Sequence, residues 1–543
     1  MTYPGLVGLR GDEPHRGISL RVRDAGLTER AKFIIFKSRQ GLCRASNGRK
    51  VMGQRTGLGC DRRALGGLLL TALAYSGSLS AQADSAATGI DPAAEASAAG
   101  ASVIVATPVA EGVDAPGDAS QGMPEHELSR TVGNLTLYPI LNIGGGYRSD
   151  VYNENGDNGG SAFVNARAGG GVQGENRGHL YGGEYFAEEM WYLDSDVNND
   201  DELIQRAVAY WGTAFDVRNN IDLGVEYLDS YDTRGQDDPV RGIRDTTDEE
   251  DPDTWTQLSY GGNYAYGAAD ARGRLELGAC ATCLEYDNND QQYRDRDVID
   301  LGATLSMQLS GRTRGFVQVV HSDFDYRNDT PDDPAGGRNL DSDEWRYMVG
   351  ASWLASGRFT GVGRVGQVRK DFNDPLRGSS GDYEEMSWDV VANWAPTGRN
   401  LVSLSYFQAP REPLVWEEDE LVDNFVEVEQ ISLDGSHQLT ANTMLTAGGY
   451  MGWDKWKPSG RNDDLWGASA GLRFGLARWG SVGISYFHRE RDSSNRANDY
   501  SDDGVLIDFN IGSLFGFGDS RAPAICLLRS FTPGTGYNGF AGY

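Results

Sequence analysis

Basic residues are scarce in this chain: 49 Lys and Arg stand against 79 Asp and Glu in 543 residues, a formal net charge of −30. That balance excludes nucleic acid as a partner, because phosphate binding needs a basic face. Long hydrophobic runs are missing too. No uninterrupted apolar stretch reaches about 18 residues, and the mean hydropathy of −0.48 excludes a bundle of membrane-spanning helices. Histidine is limited to 6 residues, and only His321-Ser322-Asp323 brings together the residue types of a Ser–His–acid hydrolase. Neighbours on a strand point to opposite faces, so these three do not converge and no catalytic residue is expected. Of the 5 cysteines, Cys280 and Cys283 form C-x-x-C inside a strand-like run. That spacing sets their Cα atoms about 10 Å apart on opposite faces, so a disulfide needs a bulge; a bridge, two thiols, or a redox or metal pair all stay open. No metal, cofactor or phosphate motif stands out.

Glycine and aromatic rings are plentiful instead, with 72 Gly, 25 Tyr, 18 Phe and 12 Trp. Glycine at about twice its usual share, beside many rings and few helical patterns, points to many strands. The first 83 residues differ in character. Arg62 and Arg63 precede an apolar run over 64–75 and a small-x-small site at Ala81-Gln82-Ala83, the three parts of a secretory signal. We expect 52–83 to be that signal and 1–51 to be a mis-called upstream extension. Residues 1–83 carry 14 Lys and Arg and 5 Asp and Glu, leaving 35 against 74 in the exported part. Residues 84–132, rich in Ala and Ser with scattered acids, bury too little apolar surface to order themselves and read as a disordered periplasmic segment.

From 133 to 517 one pattern repeats: runs of about ten to thirteen residues alternate apolar with polar character. In Ile221-Asp222-Leu223-Gly224-Val225-Glu226-Tyr227 every odd position is apolar and every even one acidic or Gly. Val482, Ile484 and Tyr486 alternate with Ser481, Gly483 and Ser485, and Val505, Ile507, Phe509 and Ile511 with Leu506, Asp508, Asn510 and Gly512. Short connections fall near 174–178, 216–220, 268–272, 311–314, 356–357, 396–399, 437–442 and 477–480. Long, acid-rich ones fall at 150–160, 194–201, 232–254, 287–297, 327–342, 371–382, 410–424, 454–464 and 492–503. Eight short and nine long connections imply about 18 strands, an even number with both ends on the short-turn side. The expected fold is all-β, a transmembrane antiparallel β-barrel of the outer-membrane type, in the outer membrane of a Gram-negative bacterium. Rings near segment ends, among them Trp191, Tyr192, Tyr227, Tyr231, Trp255, Tyr286, Trp345, Trp353, Trp388, Trp394, Trp453 and Trp456, are expected to form the two interfacial girdles.

The polar strand faces supply candidate lumen residues: Asp222, Glu226, Glu276, Asp389, Glu427, Glu429 and Asp508, with Arg274, Arg346 and Arg473 of opposite sign. The excess of acids predicts a lumen that favours cations or neutral sugars. The acid-rich loops read as solvated rather than as Ca²⁺ sites, lacking a spaced ligand loop. Asn510, Gly512, Phe515 and Phe517 fit the polar-x-Gly-x-x-aromatic-x-aromatic pattern of a terminal-strand signal for the outer-membrane assembly machinery. Beyond it lies a tail, 518–543, without an evident role.

The run from Val217-Arg218-Asn219-Asn220-Ile221 through Tyr231-Asp232-Thr233-Arg234-Gly235, a tight turn then a strand ending in Asp-x-Arg-Gly, resembles the putative β-barrel porin 2 family. The resemblance implies an outer-membrane barrel, with some members tied to exopolysaccharide or capsule export; it brings no catalytic or ligand residues. The sparse basic character expected of the lumen departs from barrels that export acidic polymers such as alginate. The function expected is a porin-like channel that passes hydrophilic solutes or exported polysaccharide. The alternatives are a surface adhesion or structural barrel with acidic extracellular loops and, disfavoured by its missing Ser/His constellation, a hydrolase. Expected partners are outer-membrane lipid and lipopolysaccharide, the assembly machinery and the solute itself. Mass spectrometry of the exported protein should find Asp84 at its N-terminus; any peptide from 1–51 would overturn the assignment of that stretch.

Overall fold

The computed structural model describes residues 128–511, apart from 152–158, 195–201, 232–236, 239–241, 244–252, 269–270, 289–290, 330–338, 357, 374–381, 412–415, 418–419, 422–424, 458 and 478. The expected signal, upstream extension and C-terminal tail, and most of the expected lead-in, lie outside the described residues.

Eighteen strands form the wall: β1 (Leu135–Arg148), β2 (Ser161–Asn176), β3 (His179–Tyr192), β4 (Glu202–Asp216), β5 (Asn219–Tyr231), β6 (Thr254–Tyr266), β7 (Gly273–Tyr286), β8 (Arg296–Ser310) and β9 (Thr313–Tyr326) in the first half. The second half is β10 (Ser342–Ser356), β11 (Phe359–Phe372), β12 (Asp382–Thr397), β13 (Asn400–Arg411), β14 (Phe425–Thr440), β15 (Thr443–Lys457), β16 (Asn462–Ala477), β17 (Gly480–Ser493) and β18 (Tyr500–Ile511). Each pairs antiparallel with the next, and β18 returns to β1 from Leu141↔Ile511 to Arg148↔Gly504, closing the barrel. Below Leu141 the edge of β1 is covered by Arg130–Val132, which pairs with Leu135–Leu137. That short strand corrects the expectation that order begins only after 132: an unpaired edge inside a membrane would be costly. No described helix is long and apolar enough to cross a membrane.

The strands carry their apolar side chains outward. Along β8, Leu301, Leu305, Met307 and Leu309 are 52 to 62% exposed, while Asp300, Thr304 and Ser306 are at 1 or 2%. A water-soluble fold buries the first set and exposes the second; hydrocarbon reverses the preference. The same inversion holds at Leu223 against Asp222, Ile484 against Ser481, and Ile507 against Asp508.

The short turns have a shared chemistry. Asp216 Oδ1 accepts the Arg218 and Asn219 amides, and Ser310, Thr397 and Thr440 each accept the amide two residues on, at 3.2 Å. Such side-chain acceptors mimic a backbone turn and pin it locally. Register shifts occur on these strands at the same turns. The β2–β3 turn instead uses Arg177 and Gly178, both with positive φ, the geometry that matches hairpin twist.

Glycine lets inner side chains lie flat against the neighbouring strand. A Cβ on Gly483 would sit 2.5 Å from Asp508 Oδ1 and 2.8 Å from Arg473 Nη2, and one on Gly212 would sit 2.5 Å from Asp222 Oδ1. Tyr210 overlies Gly182 in the same way. At the seam, fully buried Asp502 on β18 accepts from Arg148 of β1 at 3.0 Å and from Arg489 of β17 at 2.7 Å. This triad joins the first strand of the wall to the last two.

Two predictions follow from this packing. Asp502→Asn leaves two buried guanidinium groups short of their carboxylate and should destabilise the barrel by about 3–5 kcal/mol, read as a lower temperature for the loss of folded electrophoretic mobility; an unchanged temperature would mean that the triad does not hold the seam. Gly483→Val should cost about 1–3 kcal/mol through overpacking, whereas Gly311→Ala, with no atom within 4 Å of its Cβ, should leave the same measurement unchanged.

Candidate solute lumen

The inner face is built by alternation. Eight of the sequence-derived candidates, Asp222, Glu226, Glu276, Asp389, Asp508, Arg274, Arg346 and Arg473, are buried on the face opposite the exposed apolar residues. The fold brings several together as ion pairs: Arg274 with Glu276 at 2.9 Å, Arg473 with Asp508 at 2.8 Å, and Glu226 with Arg206 at 2.6 Å. Asp389 holds Arg364 at 2.9 Å and Arg346 holds Glu344. Arg473 and Asp508 stand on β16 and β18 and meet over Gly483 of the intervening β17, and the other pairs link adjacent strands or successive inward positions of one strand, so the charges run along the wall.

Glu427 and Glu429 do not belong to this face. They share alternation with Ile431 and Leu433, which are exposed, against Gln430 and Ser432, which are buried, and no register shift intervenes. Glu429 accepts the Tyr406 hydroxyl at 2.5 Å; Glu427 accepts from the Gln408 amide and lies 3.7 Å from Lys455 Nζ. The reason lies in their position at the long-loop end, where the chain leaves the apolar band and the outer strand face turns polar.

The inner face at that end is the reverse of the expectation. Phe407, Ala409, Val426, Val428 and Trp456 form one buried cluster there; Phe163, Met190, Tyr192, Leu506 and the loop residue Val151 form another. Trp255, Leu284 and Tyr286 make a third. Tyr192, Trp255, Tyr286 and Trp456 are therefore buried inside and do not join an outer girdle, while Trp345, Trp394, Trp466 and Trp479 are exposed outside. Cations lie on the inner rings: Arg294 is 4.0 Å from the centre of Tyr286, Arg461 4.5 Å from Trp456, and Lys370 3.7 Å from Phe324.

The expectation of a lumen poor in basic residues is also corrected. Among the described residues, eleven buried side chains are Lys or Arg and fifteen are Asp or Glu, fourteen without the outward Glu427. The inside is thus close to balanced although the chain carries −30. Arg148, Arg294, Arg296, Arg364, Lys370, Arg461, Arg489 and Arg491 were missed by sequence reasoning. Their signal was available only as parity: Arg489 and Arg491, for example, continue the inward series of Ser481 and Gly483.

The remaining candidates are placed as follows. His321 packs on Trp345 at 4.3 Å and meets Asp343 at 3.2 Å, with Asp323 exposed and Ser322 buried on the other face. Cys280 and Cys283 are disulfide-bonded, and both ladders of β7 pass them without the register shift expected of a bulge. Asn510 is buried on the inner face of β18; Gly512, Phe515 and Phe517 lie outside the described residues.

The chain is similar to several solved outer-membrane proteins. OccK2 (OpdF) of Pseudomonas aeruginosa in complex with glucuronate shares 11% identity over 69% of this chain and 98% of its own, with a TM-score of 0.38. A BenF-like porin from Pseudomonas fluorescens Pf-5 shares 10% over 69% and 99%, TM-score 0.38, and OccAB4 of Acinetobacter baumannii 11% over 69% and 97%, TM-score 0.37. No curated protein matches the chain. The putative β-barrel porin 2 family matches residues 127–511. With that match covering most of its length, and its closed wall of eighteen inside-out strands, the chain belongs to the putative β-barrel porin 2 family and is a porin-like β-barrel of the Gram-negative outer membrane.

Proposed function

We propose that the barrel is a channel for small hydrophilic solutes and that its inner side chains line the permeation path. The observation that carries this reading is the flat, paired arrangement of the inner charges: Arg473 and Asp508 lie over Gly483, and Asp222 over Gly212, which keeps these side chains against the wall. An eighteen-strand barrel whose side chains hug the wall has room for water. On β15 the inner positions also grade along the strand. Met444, Thr446 and Gly448 are half-buried near the short turn, while Gly452, Asp454 and Trp456 are buried towards the long loops. On this strand the gradient supports a path bounded more closely towards the long loops. Transport is further supported over hydrolysis by His321 and Ser322 standing on opposite faces.

Purified full-length protein, verified as folded by its heat-modifiable mobility, should give steady ohmic conductance in planar lipid bilayers. Silent bilayers from folded protein would overturn the channel reading.

A further inference from the structure

The inner charges are not spread evenly around the wall. Strands β8–β11 present five described cations inward, Arg296, Arg314, Arg346, Arg364 and Lys370, against two acids, Asp300 and Glu344. Strands β2–β5 reverse the balance, with Arg167 and Arg206 against Glu184, Glu188, Asp222 and Glu226.

The register arranges the first set in steps. Arg314 pairs with Ser352, which pairs with Val362 of β11; Arg364 stands on β11 itself; Arg346 pairs with Val368; and Lys370 follows. Projected on β11, the cations lie at positions 362, 364, 368 and 370. At about 3.3 Å per residue the steps are roughly 7, 13 and 7 Å, and together they span about 26 Å, close to the height of the apolar band.

Their neighbours define the chemistry they suit. Arg314 donates to Ser306 Oγ at 3.1 Å and to the Ala271 carbonyl at 2.9 Å, Arg364 divides its guanidinium between Gln318 Oε1 at 2.8 Å and Asp389 Oδ2 at 2.9 Å, and Arg346 pairs with Glu344. Rings stand beside the cations: Lys370 is 3.7 Å from the centre of Phe324 and Arg296 5.5 Å from that of Tyr326. Guanidinium forks match a carboxylate in two-point geometry, and the rings offer contact to a carbon skeleton. We propose that the inner face of β8–β11 is a path along which small organic carboxylates pass from cation to cation, against the sign of the chain's net charge. The inference rests on the channel reading above and names its solute class.

The test uses the full chain in planar bilayers with potassium gluconate concentrated on one side and dilute on the other, the reversal potential giving the permeability of gluconate relative to potassium. Lys370→Gln should lower that ratio about threefold, Arg314→Gln should lower it comparably at the other end of the path, and Glu184→Gln on the acidic wall should raise it. If the wild type conducts and the ratio stays unchanged in both cation variants, the path is overturned and the channel stands. If Lys370→Gln does not fold, Arg314→Gln alone decides. A silent wild type overturns the channel reading and this inference with it.

Discussion

Hydrocarbon offers no hydrogen-bond partner, and that single constraint organises the molecule. Every backbone N–H and C=O within the membrane must find its partner in the protein, and a sheet can do this only by closing on itself. Closure depends on the β1–β18 seam, where the ladder runs from Leu141↔Ile511 to Arg148↔Gly504 and the rest of the β1 edge is covered by Arg130–Val132. The Arg148–Asp502–Arg489 triad sits on this seam because a charge network is geometrically specific where backbone pairing alone could slip in register.

Once the wall is closed, its inside becomes a confined polar space, and two demands compete there. Charged side chains need partners, yet side chains that reach across the lumen would fill it. The wall meets both through glycine: Gly483 and Gly212 leave room for Asp508, Arg473 and Asp222 to lie along the neighbouring strand. The high glycine content noted in the sequence thus has a specific task at these positions, the close approach of one strand's side chain to the next strand's backbone.

Much of this was legible in the sequence. The alternation of Ile221 to Tyr227 and of Val505 to Gly512 fixes which side chains share a face, and the sorting of connections into short and long fixes the strand number and the direction of each strand. What alternation cannot fix is the absolute face near a strand end. Glu427 and Glu429 continue a series whose apolar members are outside, and Trp255, Tyr286 and Trp456 continue series whose polar members are inside. At those heights acids occur on the outer face and rings on the inner one, so residue type no longer reports direction and only counting from the strand's middle does. Partner choice was likewise out of reach: Arg364 with Asp389 depends on the register of β11 against β12, which a single sequence does not print.

The sign of the lumen is the clearest case of composition misleading. A chain of −30 suggests an acidic channel, but acids and bases are sorted by different forces. In solvated loops a carboxylate is stabilised by water and needs no partner, so acids accumulate there without structural cost. On the inner wall each desolvated carboxylate requires a cation nearby, and each cation a carboxylate, amide or ring. Partnering therefore drives the wall towards neutrality whatever the total charge, and what remains is the pattern in which the two signs are arranged around it. For this barrel the pattern is uneven around the wall, cations stepping along β8–β11 and acids along β2–β5. A charge inside such a wall feels its nearest side chains most, distant loops being screened by the electrolyte between, and so the local arrangement sets the field inside more than the net charge does.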